Sequence, residues 1–197
     1  MRNCSVVFKI CLSVALMTSG ASAANITYEF SGVASGNLNG VDFQDAAFVI
    51  DLTGDTSAAT GGATSTNAAS SVTFTIAGVG SGSFLDLYQV FVNKAVGAVG
   101  FSLASDGQDR VDVFDPAFNL YDLTTAIGPI STSTDFFIGQ FSGDPTTAGP
   151  INLDSGTQVT FQAILAATVP EPSTFALAGL GMVGALVTAA RRRICAA

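Results

Sequence analysis

An all-β fold, an antiparallel β-sandwich or jelly-roll-like ectodomain over residues 24–168, is what this 197-residue sequence predicts. Three observations carry it. Period-2 alternation recurs along the middle of the chain, with Val, Thr, Phe and Tyr at the alternating positions. Gly, Asn, Asp and Ser interrupt it at short intervals, the spacing of a many-stranded antiparallel domain. Helical periodicity is absent between Ala24 and Thr168.

The chain opens with Arg2 and Lys9, an apolar run over 10–17, then Ala21-Ser22-Ala23. A basic region, a short apolar core and an Ala-x-Ala site are the three parts of a secretory signal peptide, predicted here over 1–23. The core is too short to span a bilayer, which needs about 20 apolar residues. Cleavage read through Ala21 and Ala23 makes signal peptidase the first processing partner and Ala24 the mature start. No Cys follows the cut to accept a lipid.

Residues 26–33 alternate strictly, as do 71–76 and 158–164. Further strand-like runs lie near 46–52, 83–92, 96–104, 110–114, 118–124 and 134–141, for eight to ten strands in all. Turns are predicted at 37–40, 54–55, 61–62, 105–107 and 142–144. Residues 57–70 are Ser, Ala, Thr, Gly and Asn with nothing to bury, and predict a mobile surface loop. Thirteen Phe and three Tyr between 24 and 168 provide the core filling. Cys4, Cys11 and Cys195 all lie outside that segment, so no disulfide staples it and packing must hold it.

The same segment is strongly acidic. Glu29 and thirteen Asp face only Lys94 and Arg110, a charge of about −12. Phosphate binding needs Lys and Arg, so nucleic acid and anionic membrane surfaces are excluded as partners. The sequence contains no His, which removes Ser-His-Asp, Cys-His and His-ligated metal chemistry.

The best cluster of chemistry-bearing residues is Asp106, Asp109, Asp112 and Asp115, with Gly107 among them. Carboxylates suit calcium, the one cofactor the sequence suggests. Their spacing of three does not match a calcium-loop motif, and a strand over 110–114 places Asp109 and Asp112 on opposite faces. A turn at 105–109 still gathers Asp106 and Asp109, which are the candidate metal ligands. Catalysis finds less support: Glu29 is the segment's single Glu, and Phe91 stands where a Ser-x-x-Lys dyad with Lys94 needs serine. The reading is of a protein that is not an enzyme. Tyr28, Tyr88 and Tyr121 offer rings for stacking on sugars, so a carbohydrate-binding module is the alternative, with a secreted glycoside hydrolase behind it.

The C-terminal stretch 169–197 contains Pro170-Glu171-Pro172, then residues 175–190 without a charge, then Arg191, Arg192 and Arg193. As a helix, 16 residues reach about 24 Å, short of a hydrocarbon core of about 30 Å, a marginal single transmembrane helix. The arginines predict a cytoplasmic C-terminus. These three parts in order resemble the sorting tail of PEP-CTERM proteins, exported bacterial proteins processed by exosortase, a membrane-embedded cysteine transpeptidase or protease. The resemblance implies that Pro170, Glu171 and Pro172 form the recognition motif and that Arg191, Arg192 and Arg193 are the family's basic cluster. It also implies an inner-membrane-anchored intermediate, then the cell surface or extracellular space. The expected role is structural or adhesive, in envelope or exopolysaccharide assembly, with surface polysaccharide as the candidate ligand.

Overall fold

Alternation of apolar and polar side chains becomes two packed sheets in the computed structural model, which describes residues 24–167. The signal peptide at 1–23, the Pro-Glu-Pro motif, the helix at 175–190 and the arginine cluster fall outside the described residues. One sheet has six strands in the order β5-β4-β2-β1-β11-β9, and the other has five in the order β10-β8-β7-β6-β3. The six-stranded sheet is built from β1 (Asn25–Leu38), β2 (Val41–Asp55), β4 (Ser71–Ile76), β5 (Gly80–Ser83), β9 (Ile127–Thr132) and β11 (Ile151–Leu165). The five-stranded sheet contains β3 (Thr64–Ala68), β6 (Tyr88–Asn93), β7 (Ala98–Leu103), β8 (Asp109–Phe114) and β10 (Phe136–Ile138). Every strand pairing is antiparallel. Among the described residues no helix is long and apolar enough to cross a membrane.

The β1–β2 hairpin turns at Asn39 and Gly40, whose φ values of 52° and 84° suit a two-residue turn that follows strand twist. Asn37 accepts the Gly40 N–H at 2.8 Å and fixes that turn. Between the sheets, Ile26, Tyr28 and Phe30 of β1 are buried, as are Val90 and Val92 of β6, Val99 and Phe101 of β7, and Val111 and Val113 of β8. The Phe30 ring sits 5.3 Å from Phe101 of the other sheet, a tilted contact that joins the two, and 5.0 Å from its own cross-strand partner Phe161. Burying each such side chain stabilises the fold by about 1.5–3 kcal/mol.

Three expectations are corrected. Residues 57–70 are not one mobile loop, because β3 lies inside them and pairs with β6. Its inward residues are Ser65 and Asn67, both buried, so the strand carries no apolar signal to read. Residues 118–124 do not form a strand. Asp115 accepts the Ala117 N–H and Pro116 begins a 3-10 helix over Pro116–Leu120, where the proline φ is already helical. Residues 127–132, not expected as a strand, form β9. Its Pro129 is tolerated because β9 is the sheet edge.

The first and last strands are neighbours. Ile26 pairs with Leu165, and the Ala166 N–H reaches the Asn25 carbonyl at 2.8 Å. The two ends of the sandwich therefore lie side by side at one end of the six-stranded sheet.

Candidate functional site: the outer face of the five-stranded sheet

The site begins with one extra residue. Phe101 of β7 faces Val111 of β8, but the next pair is Ser102 with Asp109, so Arg110 is bulged. A bulge lets two successive residues face the same way and shifts the alternation beyond it. Arg110 therefore turns inward beside Val111, and Asp109 comes to the same outer face as Asp112. This overturns the expectation that a spacing of three puts those two acids on opposite faces.

On the inner side, Arg110 is 1% exposed and Asp144 is 4% exposed. Arg110 Nε donates to Asp144 Oδ2 at 2.6 Å and its Nη2 to Oδ1 at 3.1 Å. Tyr88 donates its hydroxyl to the same Oδ2 at 2.7 Å, and Arg110 Nη1 reaches the Gln108 carbonyl at 3.0 Å. Burial pulls the guanidinium pKa down, but the Asp144 carboxylate, with smaller contributions from Tyr88 and Asp106, raises it overall. Both charges are paired and hydrogen-bonded, the condition for holding them in a core. This pair is a structural clamp.

The outer side differs. Strand pairing lines up one residue from each strand of the sheet: Phe137 of β10, Asp112 of β8, Gly100 of β7, Phe91 of β6 and Thr66 of β3. Their neighbours in sequence face the core, which puts this row on the outside. Asp112 is nevertheless only 7% exposed, and its Oδ1 is buried without a hydrogen-bond partner. Gly100 makes this possible. A Cβ there would meet Asp112 Oδ1, would stand 2.7 Å from the Val111 carbonyl oxygen and 2.8 Å from Phe91 Cζ. The carboxyl and the Phe91 ring edge thus fold together over a bare backbone. Burial, with a smaller push from Asp109, raises the Asp112 pKa to about 7. The Asp109 carboxyl is also raised by burial, partly offset by the Arg110 charge.

Around this row the face is mostly polar, with Asp109 opposite Ser102 as a second acid and Phe114 opposite Ala98. Ser102 lies beside Gln89, whose Nε2 reaches its Oγ at 3.4 Å, and Ala98 pairs with Asn93. Ala98 and Ser102, small residues of β7, are buried although they face outward, because longer side chains of β6 and β8 flank them. Phe91 and Phe137 remain half-exposed.

The other residues singled out in the sequence are used locally. Asp106 accepts the Gln108 N–H at 2.8 Å in its own turn, and Asp115 caps the 3-10 helix. Among the described residues no three carboxylates converge, and Asp106 and Asp109, even with both oxygens of each engaged, supply at most four of the six to eight oxygens calcium takes. Tyr28, Tyr88 and Tyr121 are buried, with hydroxyls donating to Leu123 O, Asp144 Oδ2 and Thr125 O. Burial raises the pKa of all three, and none presents a ring face to a sugar. Sequence reasoning passed over Phe91, Gly100 and Phe137, whose shared row exists only through strand pairing. One signal was available: Val111-Asp112-Val113 puts an acid between two core valines.

The described residues define the class: an acidic, all-β sandwich of two antiparallel sheets. Comparison with known families identifies the segment C-terminal to the sandwich. The family model of the PEP-CTERM protein-sorting motif matches residues 168–193, which include Pro170, Glu171, Pro172 and all three arginines of the cluster. The motif marks this chain as an exosortase-sorted protein of the cell surface or extracellular space. No curated protein and no solved structure matches the chain.

Proposed function

We propose that the β-sandwich is the sorted cargo and acts as a non-catalytic structural or adhesive component of the envelope or exopolysaccharide. Signal peptidase cuts after Ala23, the helix at 175–190 holds an inner-membrane intermediate, and exosortase processes the tail near Pro170–Pro172. The observation that carries this reading is the sorting motif placed directly after a sandwich rich in carboxylates and poor in cations. Such a surface stays soluble and repels other anionic polymers. Of the groups suited to acid–base or ionic chemistry, Arg110, Asp144 and Tyr88 are consumed in the buried clamp.

Intact mass of the protein recovered from the host's surface and medium tests the reading. A chain beginning at Ala24 and ending between 170 and 173 supports both processing steps. A chain that keeps Arg193 and stays in the inner membrane overturns the exosortase step. Loss of polymer from the surface of a deletion strain is the result expected for the structural or adhesive role, and an unaltered surface removes it.

A further inference from the structure

We infer that the outer face of the five-stranded sheet, centred on Phe91, Asp112 and Phe137, binds an uncharged polysaccharide chain. This deepens the adhesive reading and rests on it.

Two independent observations point to a ligand. The first is Asp112, over nine-tenths buried on a face that has no second layer, with Oδ1 unpartnered. An unsatisfied buried polar atom costs about 1–3 kcal/mol, and nothing in the fold requires an acid there. Groups perturbed in this way concentrate at binding and catalytic sites. The second is the composition of the face. Two half-exposed Phe rings flank the acid within one cross-strand row. The half-exposed amides of Gln89 and Asn93 lie beside them, with the Thr66 hydroxyl, which is paired with Thr60.

Charge selects the occupant. The surrounding domain carries about −12, and neither Lys94 nor Arg110 lies on this face's central row. An anionic polymer or nucleic acid is therefore repelled. A second copy would bring another unpartnered Asp112 and another −12 against the first. A purely apolar partner would desolvate the Gln89 and Asn93 amides, whose bonds to Ser102 and the Ala95 N–H leave part of each amide without a partner. A neutral sugar chain satisfies both halves of the face: its C–H faces lie on the rings, and its hydroxyls donate and accept with the amides and, once the Phe91 edge beside Asp112 Oδ1 shifts, with the acid. In its neutral form Asp112 both donates and accepts. Its titratable neighbour on β8 is Asp109, while the row positions on β7, β6 and β10 are Gly100, Phe91 and Phe137, none ionisable.

The test is affinity electrophoresis of the full-length chain in mild detergent, through gels containing uncharged glucan, mannan or galactan, with alginate as the anionic comparison. Retardation in at least one uncharged gel is expected, with none in alginate. Phe91→Ala and Phe137→Ala are each expected to weaken it at least tenfold, while Phe91→Tyr and Phe137→Tyr, which keep the ring, retain it. Circular dichroism melts identify any alanine variant that fails to fold, and for it Phe→Leu at the same position gives the loss instead. Retardation of the native chain should fade as pH rises through 7, and that of Asp112→Asn should not. Retardation that survives removal of both rings overturns the proposal, as does retardation only in alginate or in no gel. A chain that is processed correctly in the host yet shows no retardation overturns the sugar-binding face and leaves the sorting reading standing. Retardation by a chain that is never processed does the reverse.

Discussion

Two carboxylates equally hidden from water meet opposite fates on the two sides of β8. Asp144, on the inner side, holds Arg110 through two hydrogen bonds and takes a third from Tyr88. Asp112, on the outer side, has an oxygen with no partner and lies against a glycine and a phenylalanine. Burial alone therefore does not say what an acid is for. Satisfaction separates them: the satisfied acid holds the sheets together, and the unsatisfied one marks a surface left open for something else.

Removing either half of this contrast has a calculable result, and the inner half is the larger. Asp144→Ala leaves the Arg110 charge buried without its counterion, which costs about 3–5 kcal/mol. Urea unfolding should show it as a lower midpoint with little change in slope. Next comes Asp112. Its folded pKa lies well above the ordinary carboxylate value, so its contribution to stability is full below about pH 4 and is lost as pH rises through about 7. The loss is of order 2–4 kcal/mol. Melts between pH 4 and 8 should record the decline, and Asp112→Asn should flatten it. Asp109 and Asp51, also raised, add smaller slopes of the same sign. Asp55 and Asp122 are held low by hydrogen bonds from Ser57 and Thr124, and their contributions disappear only as pH falls below about 4.

Gly100→Ala sharpens the contrast at the backbone. The added methyl would meet Asp112, Phe91 and the Val111 carbonyl, and a carbonyl cannot swing aside as a side chain can. A cost of about 1–3 kcal/mol in thermal unfolding is expected. The smallest effect belongs to the six-stranded sheet. Glu29 stands opposite Asp51 on its outer face, both half-exposed. Glu29→Gln removes that repulsion and should stabilise by a few tenths of a kcal/mol, detectable as a slightly higher melting temperature.

The two sheets also differ in how openly they announce themselves in sequence. In β1, β4 and the second half of β11 every other residue is apolar, because one face meets the core and the other meets water. Those strands are legible without coordinates. β7 and β8 are buried on both sides, the outer side by neighbouring strands, so Ala98-Val99-Gly100-Phe101-Ser102 does not alternate in exposure. β3 is hidden for the opposite reason, since its inward Ser65 and Asn67 are polar, with Asn67 Nδ2 bound to the Tyr28 hydroxyl and the Asp55 carbonyl. The candidate face escapes the sequence for a topological reason. Phe91, Gly100, Asp112 and Phe137 come from four strands, and the bulge at Arg110 changes the phase of the one strand whose acids had drawn notice.

The pairing of β1 with β11 sets when this domain can exist. β1 occupies the middle of the six-stranded sheet, between β2 and the last strand of the sandwich. Until residues 151–165 are on the same side of a membrane as residues 25–38, one whole edge of β1 has no partner. A chain passing through a translocation channel from its N-terminus therefore cannot close this sheet early. The six-stranded sheet is complete only after nearly all of the sandwich has emerged, and the order of the strands itself supplies that delay.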